Sequence, residues 1–415
     1  MQNKILLLIT IFLMSFLNDA VAQNKAIVTV ENSLKNPFPD APVVINRTEL
    51  NIPEGKSVIS ITTVKDKNTW EIPFQLDDLD KNGKWDELFF QIDFESKQII
   101  DVEINFGEDK NKANKFLKRV NAVIDDRPRD PWTVYKPLWE SEIMTYLTYG
   151  ATQIDVIGKT IPRLSLDYFY GEVKHPQHTF SAEFGHDFLL TANTMSLHSI
   201  FIQEANGNIA RPWTTNAYSI SKKIERDAKY DSKILADGPL RAIVKTKVTD
   251  WRTDLGTYEF EIVYSIASLK RYTTVELKMT KYPGNKRDIR FGAGMRQIYE
   301  DFVYKKKPEY MMAIAQDVYE AGILNHLIAR GIVITNKYDT EEIYIKNDTT
   351  LIDIPNNGPN YGFLFPKGTL ELKYGFAGAW EKDGGVTSPK QWANYLLNVS
   401  DEIGEPVIIK LILLK

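Results

Sequence analysis

A chain of 415 residues with 51 Lys and Arg against 55 Asp and Glu carries a net charge of −4. That balance lacks the basic footprint of a nucleic-acid binder, so nucleic acid is excluded as a partner. Without a single cysteine the chain forms no disulfide and carries no lipidated cysteine, and a large apolar core must supply its stability.

After a short polar start come Lys4, an apolar run ILLLITIFLMSFL and then Ala20-Val21-Ala22. This layout predicts a secretory signal peptide over residues 1–22, cleaved after Ala22. The run is too short for a good membrane anchor and no later stretch could span a bilayer, so the expected address is a periplasm or the cell exterior.

From residue 23 onward the sequence reads as strand after strand. AIVTVEN, VVINRTEL, VISITTVKD, LFFQIDF and QIIDVEINF are short, β-branched or aromatic, and bounded by Pro, Asp, Asn or Gly. RAIVKTKVTDW, YEFEIVYSIASL and RYTTVELKMTKY continue the pattern, and RGIVITN, EEIYIKN, TLELKYGFAGAW and EPVIIKLILLK close it. Period-two alternation marks strands with one buried face. Helical signals are confined to PKQWANYLLNVS, DVYEAGILNHLIARG and PLWESEIMTYLTYG. The expected fold is all-β and mainly antiparallel, a large sandwich of the mutarotase-like supersandwich kind spanning 23–415, with an N-terminal β layer over 23–120.

Between two of these strands lies DLDKNGKWDE, residues 78–87. Asp78, Asp80 and Asn82 at alternate positions with Gly83 match the first half of a calcium loop. Phe89 stands where the bidentate Glu belongs, so Asp86 or Glu87 would have to substitute. Asn82-Gly83 is equally a hairpin signal. A structural Ca²⁺ is expected here, and no cofactor is required for chemistry.

The segment Arg163 to Asp187, RLSLDYFYGEVKHPQHTFSAEFGHD, holds three of the five histidines, His175, His178 and His186, with Tyr168, Tyr170 and Glu183 beside them. Histidine moves protons near neutral pH, so chemistry is expected here. The loop DDRPRDPW carries Arg127 and Arg129, whose forked donors suit a carboxylate or sulfate or the neighbouring aspartates. Glu140 and Glu142 would share one face of an extended strand, a binding or metal patch rather than a flanking acid and base. Arg211, Trp213 and Arg296 complete the anion and sugar contacts. The spacing of His175 and His178 could chelate Zn²⁺, but no third ligand is identifiable. Phosphate-loop, dinucleotide, nucleophile-elbow and HExxH signatures are absent.

NPFPDAPVVI, IPFQLDDLDKNGKWDELFF, PLWESEIMTY, IDVIGKTIPRLSLDYFYG, DGPLRAIVKTKV and YGFAGAWEKDGGVTSPKQWANYL together resemble a secreted, formerly uncharacterised family of polysaccharide-utilisation loci. Within it the chain is similar to the oligosaccharide dehydratases of ulvan breakdown. The resemblance implies removal of water from a non-reducing-end uronic acid to leave a 4,5-unsaturated uronate, on an oligosaccharide that can be sulfated. Many relatives carry Arg where Leu147 stands and lack the His175–His178 pair, so these histidines would serve this branch's own substrate. Such an elimination takes the proton α to a carboxylate, whose charge a cation must offset. His175 or His178 would be the base, Tyr168 or Tyr170 the acid, and Arg163 or Arg211 the carboxylate holder, with His186, Glu140, Trp213, Arg127 and Arg296 as further contacts. An internally cutting polysaccharide lyase and a non-catalytic carbohydrate-binding protein are the alternatives.

Overall fold

The computed structural model describes residues 24–65, 68–108, 115–125, 136–149, 152–173, 175, 181–189, 194–211, 228–253, 255–296, 302–306, 310–317, 326–345 and 360–412. Arg127, His178, Trp213 and the signal segment lie outside these residues.

Antiparallel sheets dominate the described residues. The strand Gly256–Ala267 shows why: Tyr258, Phe260, Ile262, Tyr264 and Ile266 are buried while the residues between them are half-buried. Alternation at period two buries one face of a strand and leaves the other wet. Eight strands form one large sheet in the order Lys229–Asp237, Arg241–Thr253, Gly256–Ala267, Tyr272–Lys281, Glu371–Trp380, His326–Val333, Tyr310–Asp317 and Phe302–Lys306. Facing it is a second sheet, ordered Glu341–Ile345, Asn360–Leu364, Arg290–Met295, His198–Gln203, Gln153–Gly158, Met144–Tyr149, Lys136–Ser141 and Val120–Asp125. His186–Asp187 and Ile209–Ala210 pair onto its Gln153–Gly158 and His198–Gln203 strands. The main core fills the space between the sheets, where Trp139 stacks on Tyr264 with ring centres 4.7 Å apart. This is the expected all-β sandwich.

Residues 25–107 build two smaller sheets around a separate core containing Val28, Ile45, Phe74, Phe90 and Ile104. One of them is closed by the last described strand, Ile408–Ile412, which pairs with Lys25–Glu31. Gln75, Asp77 and Arg241 join this layer to the large sheet. The buried Arg241 guanidinium donates to Asp77 and to Glu87, the latter at 2.8 Å. Gln75 Oε1 accepts the Leu240 and Arg241 N–H groups at 2.8 and 2.9 Å, and its Nε2 donates to Asp77 Oδ1 at 2.6 Å and to the Arg241 carbonyl at 2.8 Å. Gly238 packs on the Gln75 side chain so closely that a Cβ there would collide with it.

Two α-helices occur among the described residues. α1, Leu166–Tyr170, lies on the outer face of the second sheet over Leu138, Leu147 and Ile157. α2, Pro389–Gly404, has Pro389 in its first turn and Ser388 as N-cap, whose Oγ accepts from Gln391 N–H at 3.3 Å. It covers the outer side of the large sheet through Trp392, Leu396 and Val399.

Of the other two helical expectations the first is corrected, and the second is corrected over 326–331, its residues 318–325 lying outside the described ones. PLWESEIMTYLTYG is the hairpin Lys136–Ser141 and Met144–Tyr149, and DVYEAGILNHLIARG ends one strand at Asp317 and starts another at His326. The main core covers one face of the first hairpin and α1 the other, so both faces took apolar residues and the alternation was lost.

Candidate functional site

The outer face of the second sheet, beneath α1, carries the residues the sequence grouped. Leu147 stands opposite Leu138 on one side and Asp155 on the other, and Thr145 opposite Glu140 and Ile157. Opposed residues of antiparallel strands share a face, so Leu138, Leu147 and Ile157 form an apolar floor, on which Leu166 and Phe169 of α1 pack. Leu147 is fully buried in that floor.

α1 turns Tyr168 upward from this floor. Its ring lies parallel to His175 (3.9 Å, 2°) and to Phe184 (3.9 Å, 6°). Two parallel rings at that spacing must occupy opposite faces, so the phenol is sandwiched. The Arg163 guanidinium covers the far side of Phe184 at 4.9 Å and pairs with Glu183. Arg163, Phe184, Tyr168 and His175 therefore form one continuous stack. Tyr168, His175 and Phe184 are half-buried, and Arg163 and Glu183 expose 41% and 58% of their side chains. Exposed ion pairs are worth about 0–1 kcal/mol, so another carboxylate can take the place of Glu183 on Arg163.

Beneath the stack, Glu140 is fully buried. Its carboxylate accepts from Lys159 Nζ at 2.6 Å, Thr145 Oγ1 at 2.8 Å, Ser165 Oγ at 3.1 Å, Ser165 N–H at 2.9 Å and Leu166 N–H at 2.9 Å. Lys159 is buried with it, and burial lowers its pKa against the opposing pull of Glu140. Glu140 thus supports α1 from below and does not meet solvent. Glu142 does not share its face, a correction to the sequence reading. The strand ends at Ser141, and Glu142 turns to Arg119 Nε at 2.6 Å and to Leu269 N–H at 3.0 Å.

The histidine group separates. His175 joins the stack, while His186 is buried opposite Gly158. Trp380 and Phe188 of the main core crowd Gly158, which puts His186 on the core side of the sheet, away from the stack. Tyr170 is half-buried beside the apolar floor. Arg211 donates to the Thr194 carbonyl at 3.0 Å, which also accepts from Gln153 Nε2 at 2.8 Å. That places Arg211 toward the Gln153 end of its strand, four residues and roughly 13 Å from Ile157 under the stack. Arg296 is buried near the main core, where its carbonyl accepts from the buried Arg330 at 3.0 Å.

The 78–86 loop has the hairpin shape that Asn82-Gly83 signalled. It closes a hairpin, since Asp77 pairs with Glu87, and it gathers Asp78, Asp80 and Asp86 so that one carboxylate oxygen of each lies within 4.8 Å of the others. Asp78 accepts the Asn82 and Gly83 N–H groups at 3.0 and 2.8 Å, and Asn82 Nδ2 donates to Asp80 at 2.7 Å. Each carboxylate keeps lone pairs for a hard cation.

Lys159 and Phe184 were not anticipated. Phe184 had a signal, an aromatic residue inside the histidine segment. Lys159 had none, because a lysine at a strand end ordinarily reads as solvated.

These features define an antiparallel β-sandwich protein with a titratable aromatic stack on one sheet face. The chain matches the family described as Domain of unknown function (DUF4861) over residues 30–409 and belongs to it. No curated protein matches it. Among solved structures it is similar to a protein in the glycosyl hydrolase family 38 from Enterococcus faecalis (TM-score 0.46, 9% identity, 95% of this chain and 48% of that one). It is also similar to an alpha-mannosidase from Enterococcus faecalis V583 (TM-score 0.43, 8% identity, 94% and 46%). The chain spans about half the length of each. Among the described residues no helix is long and apolar enough to cross a membrane.

Proposed function

We propose that the protein is an exported carbon–oxygen lyase that dehydrates a non-reducing-end uronic acid of ulvan-type oligosaccharides. The observation that carries this reading is the stack, which sets an imidazole and a phenol side by side with a guanidinium two rings away. Arg163 exchanges Glu183 for the uronate carboxylate and draws off its charge, which acidifies the C5 proton. Tyr168, one ring from Arg163, takes that proton as its phenolate. The C5–H electron pair becomes the C4–C5 double bond, the C4–O bond breaks, and protonated His175, stacked on the far side of Tyr168, protonates the departing hydroxyl to water. Solvent then removes one proton from Tyr168 and returns one to His175.

Against a purely binding role stands the sandwiching of Tyr168. A sugar platform needs an open aromatic face, and both faces of this ring are taken. An internally cutting lyase would share the same elimination. Product mass separates the three: loss of one water at constant chain length supports the dehydratase, shortened chains support the internal lyase, and unchanged oligosaccharide overturns both. A structural Ca²⁺ is proposed for the Asp78, Asp80 and Asp86 loop, with no part in the chemistry.

A further inference from the structure

Two opposite charges lie buried beneath the stack where apolar side chains would fill the space. Lys159 and Glu140 expose 1% and 0% of their side chains. Such a pair is not explained by stability, because desolvation offsets the attraction and apolar replacements of similar volume are often neutral or better. Its hydrogen bonds suggest another use. The Lys159 ammonium spends its three donors on Glu140 Oε2 at 2.6 Å, the Ser141 carbonyl at 2.6 Å and the Arg163 carbonyl at 2.7 Å. Glu140 in turn accepts the N–H groups of Ser165, just before α1, and of Leu166, its first residue.

α1 has five residues, too few to persist alone, and the Ser165 side chain gives it no cap. Glu140 is the anion at its N-terminus. One end of the ion pair thus fixes the backbone of Arg163, and the other fixes the helix that presents Tyr168. We propose that Lys159 and Glu140 are positioning residues that hold the guanidinium and the Tyr168–His175 pair at a set separation. This rests on the roles given above to Arg163, Tyr168 and His175.

The test is the double variant Lys159→Met with Glu140→Gln, which removes both charges and leaves no uncompensated ion. The first readout needs no substrate. Histidine labelled at Cε1 reports by NMR the ring-current shift that Tyr168 imposes on His175, assigned with His175→Ala. In the double variant that resonance should move to the position of an unstacked histidine, while the His198 resonance, in the main core, stays in place. An unmoved His175 resonance overturns the proposal whatever the activity. The second readout is kcat on uronate-terminated oligosaccharides, expected to fall roughly 10²-fold as for an ångström-scale misplacement, with the melting temperature held. A lost shift with unchanged kcat overturns it too. A lost shift in a protein whose wild type dehydrates no such oligosaccharide supports the positioning and refutes the functional reading alone. Should the double variant not fold, Glu140→Gln alone keeps the shape and one acceptor, and it should displace the His175 resonance part of the way. No displacement there overturns the proposal.

Discussion

Several polar contacts join the N-terminal layer to the large sheet, and Gln75→Ala tests the neutral one at their centre. Gln75 makes four hydrogen bonds in a site only 2% exposed, and its loss strands the Leu240 and Arg241 N–H groups. A buried donor left unsatisfied costs about 1–3 kcal/mol. A cavity of about 470 Å³ lined by Arg241, Phe89 and Ile243 lies beside the joint. Two donors at about 1.5 kcal/mol each give a loss of about 3 kcal/mol. In a chain this long that lowers the melting temperature by about 6 °C, near 2 °C per kcal/mol. Urea unfolding followed by tryptophan fluorescence measures it, since Trp85 belongs to the layer and Trp139, Trp251 and Trp380 to the main core. The transition should move to lower urea and broaden as the layer separates first. A loss below about 1 kcal/mol with an unchanged single transition would mean that the Gln75 hydrogen bonds do not hold the layer.

His175→Ala should lower turnover on uronate-terminated oligosaccharides roughly 10²-fold with little change in melting temperature, and near wild-type turnover would remove it from the chemistry. Arg163→Lys keeps the charge but loses the forked donors, so kcat/KM should drop for uronate-ended substrates; an unaffected value would move the carboxylate contact to Arg211. His198 is held neutral by burial, its pKa pushed down to about 3, and it hydrogen-bonds Tyr374 at 2.7 Å. Between about pH 6.5 and 3 the unfolded chain therefore binds one more proton than the folded one, and stability falls with pH by on the order of 1.4 kcal/mol per unit. His198→Phe should flatten that acid limb by one proton, and an identical limb in urea titrations would refute it. Calorimetric titration of chelator-treated protein should give Ca²⁺ binding that Asp80→Ala abolishes; no heat at millimolar Ca²⁺ would dismiss the site.

Most of the fold was legible because its strands advertise themselves. Strands such as Gly256–Ala267 and Ile99–Gly107 alternate at period two and lie where the sequence put them, with one wet face. The hairpin over 136–149 was hidden because Leu138, Trp139, Glu140, Tyr146 and Leu147 are all buried, leaving a run that reads equally as helix. Histidine count pointed to the stack, but not to its membership. Proximity in sequence says nothing of which face of a sheet a residue meets, so His186 crossed to the core side while Phe184, two residues away, joined Tyr168. Glu140 was visible as a carboxylate in a strand; its partner 19 residues later was not, because no local pattern marks a lysine that a fold will enclose.

Ile412 pairs with Ile27 across almost the whole chain, and this gives synthesis a clock. At about 5–20 residues per second the ribosome needs on the order of 20–80 s between making the two strands. Throughout that interval one edge of Lys25–Glu31 lacks its permanent neighbour and is open to any other extended segment. Its sheet can reach native form only after Ile408–Ile412 has emerged, so the layer begun first is completed last among the described elements. A chain passed through a membrane pore unfolded loses nothing by this delay, whereas one stalled or trimmed before residue 408 keeps the edge bare and becomes a seed for aggregation.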